Sequence, residues 1–192
     1  TYYILPGTGK NMLFYNKKFE PLWKKINEEF KPDIVHLHGT EYTHGLAFLR
    51  ACPEEKAIVS IQGMLTRIKD VDFGGVPLKE LIINRTLKQN LHMNGEIELH
   101  FIHKKNSKHE QEILKRVKYV NGVTTWDTAI CKSINPKLKC YKLEYNLREG
   151  FYNSPKWDIE KIEKYSIFTN PGAVPLKGLH NLLFAVALLK EK

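Results

Sequence analysis

The sequence predicts an α/β domain built on a doubly wound, Rossmann-like, mostly parallel sheet with helices on both faces. Three observations carry this expectation. Short apolar, β-branched runs alternate with amphipathic helical runs along the chain. The connections between them are mostly short turns, which suits parallel strands joined through helices. The 192 residues, 42% of them hydrophobic, are enough to bury a core of ordinary domain size.

The elements follow in order. "FEPLWKKINEEF" places Phe19, Leu22, Trp23, Ile26 and Phe30 at helical spacing, and Lys31 with Pro32 ends the helix. "DIVHL" then reads as a short strand. After Gly39, Thr40 or Thr43 caps a helix that puts Leu46 and Leu49 on one face. "AIVSI", residues 57 to 61, is the next strand, ending in Gln62 and Gly63. Residues 64 to 78 read as a polar loop and residues 79 to 117 as two helical stretches. "YVNGV" is a strand, "WDTAICKSI" a helix and "KCYKLEY" a strand. "NLREGFYNSPKW" reads as a connection to a last strand, "YSIFTN", and a last helix, "GLHNLLFAVALLKEK".

Composition narrows the function. Thirty basic against twenty-one acidic residues give a net charge of +9, which fits nucleic acid, an anionic membrane or phosphorylated small molecules. No nucleic-acid module is visible, so that partner ranks last. The basic residues concentrate between His103 and Lys118, where Ile113, Leu114 and Val117 form an apolar stripe beside them. A solvated helix face is the favoured reading, with peripheral membrane contact through 103–118 as the alternative. Cys52, Cys131 and Cys140 are an odd number without C-x-x-C spacing and read as free thiols. With no apolar run of membrane-spanning length and no signal-peptide pattern at the start, the expected location is the cytoplasm, with the inner face of the membrane as an extension.

"PDIVHLHGTEYTHG" holds three histidines and a glutamate. His36 and His38 share one face of a strand, and Val35 and Leu37 the other. Gly39 stands at the carboxyl end, where doubly wound sheets bind ligands. His38, Gly39, Glu41 and His44 are therefore placed near a crevice, while His36 is expected to be a core histidine with a backbone partner. H-x-H followed by His44 is compatible with zinc, but H-E-x-x-H is absent and a polar, sugar- or phosphate-binding crevice is favoured over a metal. "PGTGK" at residues 6 to 10 is not a phosphate-cradling loop, since Ile4 and Asn11 stand where glycine and a hydroxyl are required.

"KPDIVHLHG", "AIVSIQG", "VNGVTTWDTAICKSINPKLKCYKLEYNLREGFY" and "SIFTNPGAVPLKGLHNLLFAVALL" occur in an order and spacing that resembles family-four (group 1) retaining glycosyltransferases of the bacterial surface-polysaccharide type. That resemblance implies a GT-B architecture of two facing Rossmann-like domains. Residues 1–162 would be most of the amino-terminal, acceptor-side domain without its first strands, and 163–192 the first strand and helix of the donor-binding domain. The implied activity is transfer of a sugar from a nucleotide-diphosphate sugar to a glycan or lipid-linked acceptor, with no metal and no cofactor beyond that co-substrate. As a fragment, these residues alone are expected to transfer no sugar. The alternative is a non-catalytic Rossmann-like module binding a nucleotide or sugar phosphate.

The resemblance also implies roles. Lys177 and Gly178, in "PLKG", would meet the donor diphosphate, a cation beside a helix amino terminus stabilising the departing charge. Without the family pattern, Lys177 reads as a solvated helix-start lysine. Gly172 stands where many relatives carry an arginine. Gln62 stands where relatives often have a histidine touching the donor sugar; an amide hydrogen-bonds but does not titrate near neutrality. Gly63, Trp126 and Asp127 border the same cleft, Trp126 either stacking on a sugar ring or packing. Arg148 matches an arginine of close relatives, acting either electrostatically or as an interface salt bridge.

Overall fold

The computed structural model describes residues 3–5, 13–170, 172 and 174–190. The "PGTGK" stretch and Asn11 lie outside them. The chain divides into two compact units, Thr1–Leu143 and Glu144–Lys192.

The first unit contains helix α1 (Phe19–Phe30), strand β1 (Val35–His38), α2 (His44–Ala51), β2 (Ala57–Ser60), α3 (Leu65–Ile68), α4 (Leu78–Ile83), α5 (Leu87–His92), α6 (Glu96–Arg116), β3 (Tyr119–Gly122), α7 (Thr125–Ile134) and β4 (Lys139–Lys142). All four strands are parallel, in the order β1-β2-β3-β4. Leu37, Val59, Val120 and Cys140 are in register across the sheet and point to one face. On that face they join Leu46 and Leu49 of α2, Ile113 and Leu114 of α6, and Ile130 and Cys131 of α7 in one core. Burying each such leucine or isoleucine fully is worth about 1.5–3 kcal/mol.

A strand order that runs in one direction, with right-handed crossovers, puts every connecting helix on the same side. The expectation of helices on both faces is corrected accordingly for this unit. The opposite face carries His36, Ile58, Tyr119 and Lys139 in one row and His38, Ser60, Asn121 and Tyr141 in the next. His36, His38, Lys139 and Tyr141 stand exposed there. α1 lies along α2, with Trp23 edge-on to Phe48 at 5.8 Å, and Lys31 in the left-handed region (φ 49°) ends it before Pro32. Cys52, Cys131 and Cys140 are free.

Local differences have local causes. The loop expected over 64 to 78 contains α3, whose first N–H groups find a side-chain acceptor in Glu110. The two helical stretches expected over 79 to 117 are three, because Thr86 and Gln89 form a capping box that restarts the helix. Met93, in the left-handed region (φ 48°), ends α5 before Gly95 opens α6.

The second unit comprises α8 (Glu149–Asn153), single 3-10 turns at Ile159–Lys161 and Pro175–Lys177, and α9 (Leu179–Lys190). "NLREGFYNSPKW", read from sequence as a connection, holds α8. The strand expected at Tyr165–Asn170 does not form. Its apolar residues have the right character, but a strand exists through its ladder, and this segment has no described partner strand.

Candidate functional site

Two glycine turns leave the carboxyl ends of neighbouring strands β1 and β2. Gly39, at φ +79°, turns the chain out of β1, and its N–H still donates to the Ser60 carbonyl at 2.9 Å. Gln62 and Gly63 follow β2. The Glu41 side chain folds into the space between the two turns and accepts a hydrogen bond from Thr40 N–H at 2.8 Å. A methyl group on Gly39 would be driven into Glu41 Oε2, and one on Gly63 would come within 2.9 Å of Oε1. Gly39 needs glycine for its backbone angle, and a side chain at either position would push the Glu41 carboxyl out of the space between the turns. Gln62 stands exposed beside them.

Burial pushes the half-buried Glu41 carboxyl above the ordinary carboxylate range, and the charge of Glu110 adds to this. Backbone N–H groups of Glu41, Thr40 and Gly63 pull the other way. The result is a carboxyl that gives up its proton late, next to an amide offering both a donor and an acceptor. Such a pair suits hydroxyl groups better than anions.

Glu110, on α6, holds this arrangement from below. It is fully buried and accepts from Thr40 Oγ1 at 2.6 Å, Leu65 N at 3.0 Å, Thr66 N at 2.8 Å and Thr66 Oγ1 at 2.5 Å. One helix turn earlier, Asn106 Nδ2 donates to the Glu41 carbonyl at 3.3 Å and to the Leu13 carbonyl at 2.9 Å. Sequence reasoning missed both residues, treating their stretch as a solvated face. The signal was the spacing: Asn106, Glu110, Ile113 and Val117 recur at helical intervals along one stripe.

At the ends of β3 and β4 lies a pocket of about 190 Å³ lined by Gly122, Val123, Thr124, Thr125, Thr128 and Lys142. It is smaller than the roughly 300 Å³ at which small-molecule sites begin, so it has the size of a subsite. Asp127 does not face a ligand there. Its carboxylate accepts from Val123 N (3.1 Å) and Thr124 N (2.9 Å), while Thr124 Oγ1 accepts from Asp127 N, capping α7. Trp126 is 53% exposed in the first turn of that helix.

The three histidines are brought together in a groove that Glu41 does not line. His36, His38 and His44 line a groove of about 410 Å³ with Trp23, Ile26 and Phe30 of α1, beside the edge of β1 that has no partner strand among the described residues. His36 and His38 stack at 4.0 Å. His36 is exposed and its Nε2 pairs with Ser60 Oγ at 2.6 Å, which corrects the expected core histidine with a backbone partner. Burial pushes the His44 imidazole below its ordinary range. Among the described residues no group of three or more His, Cys, Asp or Glu side chains is arranged to hold a metal ion.

The chain matches no family model, no curated protein and no solved structure.

In the second unit, Lys177 is exposed and Gly178, at φ +75°, turns the chain into α9. The Gly178 carbonyl accepts from Asn181 N and Leu182 N. Gly172 lies against Lys177, its absent Cβ 3.4 Å from Lys177 Cγ. Arg148 is exposed at the start of α8.

Proposed function

We propose that the chain is part of a retaining glycosyltransferase of GT-B type that moves a sugar from a nucleotide-diphosphate donor to a glycan or lipid-linked acceptor. In this reading the first unit, with its parallel sheet, belongs to the acceptor-side domain. Residues 163–192 open the donor-binding domain.

The observation that carries the reading is the pairing of Glu41 and Gln62 on glycine turns at the carboxyl ends of parallel strands, where open α/β sheets bind ligands. Two nearby carboxylates, Glu41 and Glu110, make this a poor seat for a diphosphate and a good one for hydroxyl groups. The anion then falls to Lys177 and the start of α9, as the resemblance implies. Departure of the diphosphate would be assisted by the lysine charge, with attack from the same face of the sugar and no protein nucleophile.

The test is to incubate the intact gene product with a panel of nucleotide sugars and acceptor membranes, following nucleotide release and the anomeric configuration of the product. Retained configuration supports the proposal. Binding of a nucleotide sugar with no hydrolysis or transfer supports a non-catalytic binding module instead. In the intact enzyme Lys177→Ala is expected to lower turnover about 10²-fold, the scale for removing one charge-stabilising donor; unchanged turnover would refute that role.

A further inference from the structure

We propose that the helix pair α4–α5 is a docking element for an anionic lipid surface. The inference rests on exposed side chains of the first unit and does not depend on the transferase reading.

Neither helix contributes a buried residue to the fold. Their inner side is nonetheless defined. Leu81, Arg85 and Gln89, spaced four apart, line a shallow pocket against Gly95, Glu96 and Ile97 at the start of α6. There Arg85 pairs with Glu98 at 2.8 Å. The outward positions are apolar: Leu78 and Ile82 form one i,i+4 row on α4, Leu87 and Leu91 another on α5. Ile83 and Met93 extend them, and Leu87 and Leu91 are 75% and 73% exposed. A surface of this kind facing water marks an interaction site.

Charge decides the partner. Lys79 follows Leu78, Lys88 follows Leu87 and His92 follows Leu91, so each helix sets a lysine beside the first leucine of its apolar row. All three are exposed, and Glu80 is the one acid on the two helices. Apolar side chains interleaved with cations fit the boundary between acyl chains and anionic headgroups. A second copy of the chain is the less fitting partner, because it would bring a surface with two lysines and one glutamate against the same excess of positive charge.

The 103–118 segment is a weaker candidate for the same surface. Its apolar residues Ile113, Leu114 and Val117 are 1%, 0% and 5% exposed, packed in the core. Only its charged face is available.

Cosedimentation of the full chain with vesicles tests this, using pure phosphatidylcholine and equal parts phosphatidylcholine and phosphatidylglycerol. Binding is expected to the anionic vesicles and to weaken with salt. Leu87→Ser/Leu91→Ser is expected to reduce partition about a hundredfold, at about tenfold per leucine withdrawn from the bilayer. Lys79→Glu/Lys88→Glu should reduce it by about fivefold or more per residue. Both variants change exposed positions, and unaltered circular dichroism would show that the fold survives. Absence of binding to anionic vesicles overturns the proposal. So does binding that ignores the leucine variant and yields only to Lys104→Glu/Lys105→Glu/Lys108→Glu. Leucine-dependent self-association without lipid, read by analytical ultracentrifugation, would likewise overturn it in favour of a protein interface.

Discussion

Replacing Glu110 by alanine removes the acceptor of four hydrogen bonds at once. The hydroxyls of Thr40 and Thr66 can rotate towards other acceptors, but the Leu65 and Thr66 N–H groups lie at the start of α3 with nowhere to turn. Leaving two such groups without a partner costs about 1–3 kcal/mol each, so Glu110→Ala should lose about 4 kcal/mol. Against a typical total of about 5–15 kcal/mol, that is a large share of stability. Urea denaturation followed by circular dichroism reads it: with a slope of about 2 kcal/mol per molar, the midpoint should fall by about 2 M. Glu110→Gln keeps one carbonyl acceptor and should lose about half as much. Native-state hydrogen exchange adds a local check, since the Leu65 and Thr66 amides should lose protection first. A midpoint moved by less than about 0.5 M, or global destabilisation with those two amides unaffected, would refute the proposed pinning.

Gly39→Ala should destabilise by about 2 kcal/mol through its positive φ and displace Glu41. Gly75→Ala, at φ +84° with nothing within 4 Å of the new methyl, carries the backbone cost alone, so a lower melting temperature for Gly39→Ala than for Gly75→Ala isolates the clash. Glu112 is held down from 4.5 to about 2 by the bidentate Arg50 guanidinium, with Arg116 assisting. Between these values the folded state binds fewer protons than the unfolded one, so the stability from this pair is complete above pH 4.5 and disappears as pH falls towards 2. Both partners are partly solvated, which limits the effect to about 1 kcal/mol. Arg50→Ala should therefore cost more stability at neutral pH than near pH 2, where only part of the Glu112 pairing and the contact of Arg50 with the Tyr15 ring remain. The Lys177→Ala turnover loss and the Leu87→Ser/Leu91→Ser vesicle result complete the set.

The elements that could be read from the sequence are those whose signal is local. α1 shows a helical apolar stripe and ends at Lys31 and Pro32, while β1 to β4 are short runs of strand-forming residues. α7 begins at a threonine three residues before an aspartate, a capping pattern present in "TTWD" but interpreted there as cleft lining. What could not be read depends on distant partners. Tyr165–Asn170 has strand composition but no partner strand. Nothing in "DIVHLHG" says which edge of β1 stays free, and that edge determines where the three histidines open. The one-sided layering follows from strand order, which composition does not encode.

Glu110 raises the question of why a buried carboxylate is used where a leucine would pack. A leucine would fill the volume but leave the Leu65 and Thr66 N–H groups without an acceptor. Position adds a second reason. A leucine on α6 would hold α3 anywhere along a slippery contact, whereas a carboxylate accepting from Thr40 and from the first two N–H groups of α3 fixes both turns relative to one point. Glu41 lies between those turns with little room, since a single methyl on either glycine would strike it. A shift of half an ångström in either turn would move the carboxyl relative to Gln62. Glu110→Leu is thus expected to recover little of the stability that Glu110→Ala loses, since the same two N–H groups of α3 lose their acceptor, and to let the Gly39 and Gly63 amides exchange faster, because apolar packing restores the volume but not the directional restraint.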